Sequence, residues 1–185
     1  MNAYPEDMAG ELSLADGVCL CLITTPPTAF PAHGWQLVRE LAPDGALGAI
    51  WSLSRPLTYR SIDALETRGF IERDRSDPTA RRQTLTPTNR GRTAAFRWLD
   101  LPVSHIRDLR TEFLMKCELR ARAGLDIATF AHRQRLELAE ALDTLVNPQQ
   151  HPAGIVGIWR HHNAIAARAV LDNLADQAEP TAELR

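Results

Sequence analysis

The residues from Leu53 to Glu72 constrain this chain most, because they specify a helix with both of its ends and the strand after it. Ser54 is a good N-cap, and Pro56 suits the first turn, where a missing N–H leaves nothing unsatisfied. Ile62 and Leu65 lie three apart on one face, flanked by Tyr59 and Glu66. Gly69 stands where a helix needs a residue with positive φ to stop, and Phe70 and Ile71 begin an extended segment. The spacing predicts about three turns of capped helix running directly into a strand. Its exposed face is expected to carry Arg55, Thr58, Arg60 and Ser61. A short polar face with two arginines suits the reading of base edges in a major groove.

The next residues continue that pattern. Ser76-Asp77-Pro78-Thr79 is a turn cluster, and Gln83-Thr84-Leu85-Thr86 reads as the returning strand. The hairpin so formed carries Arg73, Arg75, Arg81 and Arg82. A basic hairpin directly after a polar-faced helix describes a winged helix-turn-helix, in which the helix enters the major groove and the wing meets the sugar-phosphate backbone. The plainer alternative for the arginines is a solvated turn. Ser54 and Thr58 are candidates for backbone phosphates, with Ser54 also serving as the cap. Tyr59 either meets a phosphate or packs its ring between wing and helix.

These residues resemble the PadR family of bacterial transcription regulators. The likeness is carried by Leu53-Ser54, Tyr59-Arg60, Leu65-Glu66 and Gly69-Phe70-Ile71, by Thr84 to Arg92, by Trp98-Leu99 with Pro102-Val103, and by Arg107 to Lys116. His33-Gly34-Trp35 stands where that family enters the first helix of its helix-turn-helix. Together they span Ser13 to about Leu174. Thr58, where an aliphatic residue usually stands, and Asn173, where a tryptophan is expected, depart from the pattern. The resemblance implies a DNA-binding regulator with a C-terminal helical domain. In many members small apolar or aromatic compounds release it from DNA, some of them at interdomain aromatics. Trp98 and Trp159 are the candidates for such a ligand here, with core packing as their alternative.

Net charge is −2, which by itself argues against a nucleic-acid partner. Its distribution does not. Residues 1–32 hold four acids and no Lys or Arg, whereas residues 33–98 hold eleven arginines against seven acids. The positive charge therefore sits in the segment suspected of docking DNA. Lys116 is the one lysine, so the basic face is arginine, which makes bidentate contacts to phosphate and guanine.

Elsewhere the pattern is helical. Ser13 caps a helix to about Ile23, and His33 to Leu41 is a second. Helices are also expected over 88–99, 104–123, 127–146 and 154–178, with Leu101-Pro102-Val103 as the domain break. The last helices carry more apolar surface than a small lobe needs, which suggests packing against a second copy. Three cysteines without framework spacing fit a reducing cytoplasm, and Cys19 and Cys21 read as buried thiols. His161 and His162, adjacent on a helix, do not converge on one ion. No apolar run is long enough for a membrane helix, and no basic leader precedes Ser13. There is no Gly-rich phosphate loop, nucleophile elbow or paired Cys/His set, so no enzyme, cofactor or metal is expected.

The expectation is a mainly α chain. Residues 11–100 form a winged helix-turn-helix with a two-stranded wing, and residues 104–178 form an α-helical dimerisation domain. The function expected is that of a homodimeric, cytoplasmic, operator-binding regulator, most simply a repressor with a small-molecule effector. The alternative is a helical protein-interaction module that does not bind DNA.

Overall fold

The computed structural model describes residues 12–25, 32–74, 83–147 and 154–177. The chain divides into two compact units. The described residues up to Leu101 form the first together with Leu114–Ala123. Pro102–Phe113 and the described residues from Gly124 onward form the second.

The first unit is built round helix α1 (Leu14–Thr24). Ser13 caps it through a hydrogen bond from the Asp16 N–H to its hydroxyl. Every residue from Gly17 to Thr24 is buried. A helix that is apolar all round belongs in the middle of a core, and α1 packs against α3 (Arg55–Thr67), α4 (Asn89–Asp100) and strand β3 (Thr84–Pro87). Gly17 is where α4 comes closest. A Cβ there would stand 2.3 Å from the Trp98 ring.

Between α1 and α3 lie a two-residue strand β1 (Ala32–His33) and helix α2 (Gly34–Glu40). His33 and Gln36 form a reciprocal cap, with the Gln36 side chain accepting from the His33 N–H at 2.8 Å. Strand β2 (Ile71–Arg73) follows α3, and the three strands form an antiparallel sheet in the order β1-β3-β2. The element order helix, strand, helix, helix, strand, strand is that of a winged helix. The sheet has one strand more than the hairpin expected, because a strand of two residues leaves no periodic signature.

The roots of the wing are tied together. Thr88 donates its hydroxyl to the Gly69 carbonyl at 2.9 Å and its N–H to the Phe70 carbonyl at 3.0 Å. The same hydroxyl accepts from the Gly91 N–H, capping α4. Gly69 has φ +71°, as its place after a helix requires.

The expected helix over 104–123 is two elements, a 3₁₀ turn at Ile106–Arg110 and α5 (Glu112–Arg122), because Thr111 (φ −122°, ψ −75°) interrupts the helical ladder. Most of α5 belongs to the first unit, where its cations satisfy the end of α4. Lys116 is 1% exposed, donates to the Leu101 carbonyl at 2.8 Å and lies over the Trp98 ring. Arg120 donates to the Leu99 carbonyl and to Asp100. The last carbonyls of a helix have no partners within it, and cations favour that end.

In the second unit, the expected helix over 127–146 breaks at Leu138 into α6 (Ala128–Glu137) and α7 (Ala139–Val146). Both pack against α8 (Ile155–Asp176). Phe113 stacks on Phe130, and buried Gln134 exchanges two 2.7 Å hydrogen bonds with the backbone of Val103. No described helix is long and apolar enough to cross a membrane.

All three cysteines are free and buried. Burial pushes the thiols of Cys19 and Cys117 up to about 12, and that of Cys21 up as well. The native chain is therefore expected to resist a thiol reagent at pH 8 and to react at three sites once unfolded. Rapid native labelling would contradict this packing. Because the thiols stay neutral only when folded, their contribution to stability is complete below about 9 and is lost as pH rises toward 12.

Candidate nucleic-acid interface

The site is the outward face of α3 and the sheet beside it. One side of α3 is fixed by packing. Thr58, Ser61, Ile62 and Leu65 are buried against α1 and α2. The other side presents Pro56, Leu57, Arg60, Asp63 and Thr67 to solvent. Arg60 is exposed and makes no ion pair among the described residues. Arg55 is exposed at the start of the helix, 5.8 Å from the centre of the Tyr59 ring.

Two residues expected on the exposed face are not there. Thr58 is 0% exposed and Ser61 is 6% exposed. Thr58 is one turn before Ile62 and Ser61 one turn before Leu65, so both share the buried stripe. Neither reaches a base from this position. The Thr58 hydroxyl donates to the Ser54 carbonyl at 3.1 Å, inside the helix ladder. The sequence treated these two as polar and hence exposed. The period of the buried stripe was the better signal.

Ser54 occupies the N-cap position but makes no side-chain cap bond, and it is exposed. Its hydroxyl thus faces solvent at a helix N-terminus, where N–H groups favour anions. Tyr59 is half-buried with its ring over the start of α2, where a Cβ on Gly34 would stand 2.8 Å from it. That places it as a packing residue between the two helices of the helix-turn-helix. Leu57, 46% exposed beside Arg60, was missed by sequence reasoning, which counts an apolar residue as core.

Arg73 is on β2 and is held back. Asp63 accepts from one of its Nη atoms, and Glu66 stands 3.3 Å from its Nε. Those pairs must open before Arg73 meets a phosphate. Arg75, Arg81 and Arg82 lie outside the described residues. Arg90 lies over Phe70 and donates to the Arg68 carbonyl, while Arg92 is exposed one turn into α4.

The two tryptophans considered for a ligand differ. Trp98 is 2% exposed and filled in by Gly17 and Lys116, so it is a core residue with no room beside it. Trp159 is 67% exposed on α8. A cavity of about 560 Å³ lies elsewhere, against Trp35, Arg39 and Asp44. Among the described residues no group of three His, Cys, Asp or Glu is placed to hold a metal ion. His161 is used locally, donating to the Leu145 carbonyl at 2.8 Å.

No protein-family model matches the sequence, and no curated protein matches it. Among solved structures, a crystal structure of Bacillus subtilis PadR in complex with operator DNA is similar to the chain. It is 16% identical, covers 89% of this chain and 95% of that one, and has a TM-score of 0.43. Likeness at that level carries no functional argument. The arrangement itself is a helix whose inner face is buried and whose outer face carries an arginine with no ion pair among the described residues, set beside a small antiparallel sheet.

Proposed function

We propose that this chain is a sequence-specific DNA-binding transcription regulator of PadR type, with α3 as the helix that enters the major groove. The observation that carries the proposal is the exposed arginine face of α3 within a winged-helix order of elements. Arg60 and Arg55 read base edges, with Leu57 placed to meet a thymine methyl. Ser54, Arg73 and the arginines of the 75–82 segment meet phosphates, which set affinity and register but carry no sequence information. The chain acts in the cytoplasm as a homodimer, with residues from about 104 onward supplying the dimer contacts. Two copies of α3 then meet half-sites about 34 Å apart. It performs no catalysis. Bound over a promoter, it represses by excluding polymerase. A small apolar effector would release it by changing the separation of the two α3 helices.

Arg60→Ala is expected to cost about 1–3 kcal/mol in operator affinity and to relax preference at one base position. Arg81→Ala is expected to weaken binding to all duplexes alike and to lower the salt slope by about one unit. Salt-dependent titrations of both variants test the assignment. Full affinity in both would overturn it.

A further inference from the structure

The outward line of α3 is not wholly positive. Pro56, Arg60, Asp63 and Thr67 follow one another at spacings of four, three and four residues, and all four are exposed. Asp63 thus stands one turn after Arg60, on the side turned away from buried Ile62 and Leu65. Its side chain is 64% exposed. On a face that meets DNA a carboxylate lies close to phosphates of its own sign, and a hydrogen bond from a base edge is what offsets that repulsion.

Among the major-groove edges, cytosine offers a donor, its N4 amino group, with no acceptor beside it. Guanine and thymine turn acceptors toward the groove, and adenine sets N7 next to its amino group. A carboxylate therefore selects cytosine. Three helical residues rise about 4.5 Å, which lies between one and two base-pair steps of about 3.4 Å. The cytosine then falls one or two pairs from the base that Arg60 meets.

Asp63 is already engaged when DNA is absent. Its Oδ1 accepts from an Nη atom of Arg73, and the Nε of the same arginine lies 3.3 Å from a Glu66 oxygen. Two carboxylates of α3 thus clasp one guanidinium of β2, whose side chain is 16% exposed. While the clasp is closed, the three groups together are net negative and Arg73 adds little attraction for the backbone. An ion pair this close to solvent changes an equilibrium by at most about fivefold. A good base contact changes it by about 5- to 10-fold or more, enough to draw Asp63 away. The guanidinium is then held only by the longer pair to Glu66, against a phosphate that binds it in two places.

We infer that Asp63 is a specificity residue that trades Arg73 for the amino group of a cytosine, so that Arg73 reaches a phosphate only on a duplex carrying that base. The inference rests on the DNA-reading face proposed above and adds to it one base and a coupling. On other duplexes the clasp stays shut and one phosphate contact is missing. The exchange widens the gap between operator and bulk DNA beyond what the base contact gives alone.

Site selection from a random duplex library by the full-length chain, followed by salt titrations, tests it. The unaltered chain is expected to select a cytosine one or two pairs from the guanine whose selection Arg60→Ala abolishes. Asp63→Ala replaces an exposed helical residue with the best helix former, so the fold is kept. This variant should keep the guanine and lose about 5- to 10-fold of preference for the cytosine. It should also bind an unrelated duplex with a salt slope steeper by about one unit, because Arg73 is released on every sequence. Adding Arg73→Ala should remove that extra unit. An unchanged consensus and slope in Asp63→Ala would make the clasp a structural tie and overturn the inference, and so would either change without the other. An unaltered chain that selects no consensus would overturn the reading of DNA by α3 itself.

Discussion

Gly91→Ala is expected to destabilise the chain by about 3 kcal/mol, the upper end of what forcing an extra methyl into a packed site costs. Gly91 is in the first turn of α4, at the point where that helix meets the Phe70 backbone. A Cβ there would stand 1.9 Å from the Phe70 carbonyl oxygen. That atom belongs to backbone, so it cannot rotate away as the tip of a side chain would. It is also the acceptor for the Thr88 N–H, so pushing it aside breaks the tie between the two roots of the wing. In a chain of this size the loss corresponds to a fall in Tm of roughly 6–12 °C. Arg92→Ala, one residue on and exposed, is the control and should leave Tm unchanged within a degree or two. Thermal unfolding of the two variants decides. Equal melting would mean that α4 does not meet Phe70 as described.

Trp159→Glu has the other large expected effect. Trp159 lies on solvent in the single chain, so its replacement leaves the monomer folded and its circular dichroism unchanged. In the proposed dimer the same exposed position falls among the contacts supplied by the residues from about 104 onward. An unpaired carboxylate buried there strongly opposes association. Losing the second half-site removes the gain that comes from tethering two readers, so operator affinity should fall by about 10²–10⁴-fold. Sedimentation and an operator titration on the same preparation test both halves of that expectation. A variant that stays dimeric and binds normally would contradict the role of this position.

Much of this was legible in the sequence, for identifiable reasons. Ser13, Gly69 and Pro56 mark helix ends through backbone chemistry that does not depend on tertiary context, and each stands where it was expected. The hairpin strands were legible for the same reason. The errors came from packing. Thr58 and Ser61 are polar by type but sit on the buried stripe of α3, because α1 and α2 press on that side. Trp98 drew a ligand role from the resemblance to a family with interdomain aromatic sites, and the structure packs Gly17 and Lys116 against its ring. Lys116 and Arg120 of α5 cap the end of α4, links across 15 and 20 residues that no local pattern encodes.

The most direct test of the central claim is a titration of the purified chain against the DNA upstream of its own gene. It should be run at several salt concentrations, with an unrelated duplex of equal length as control. The expected result is tight binding to the upstream DNA, selectivity over the control, and an affinity that falls steeply with salt. Equal and weak binding to both duplexes would contradict the claim that α3 reads DNA sequence.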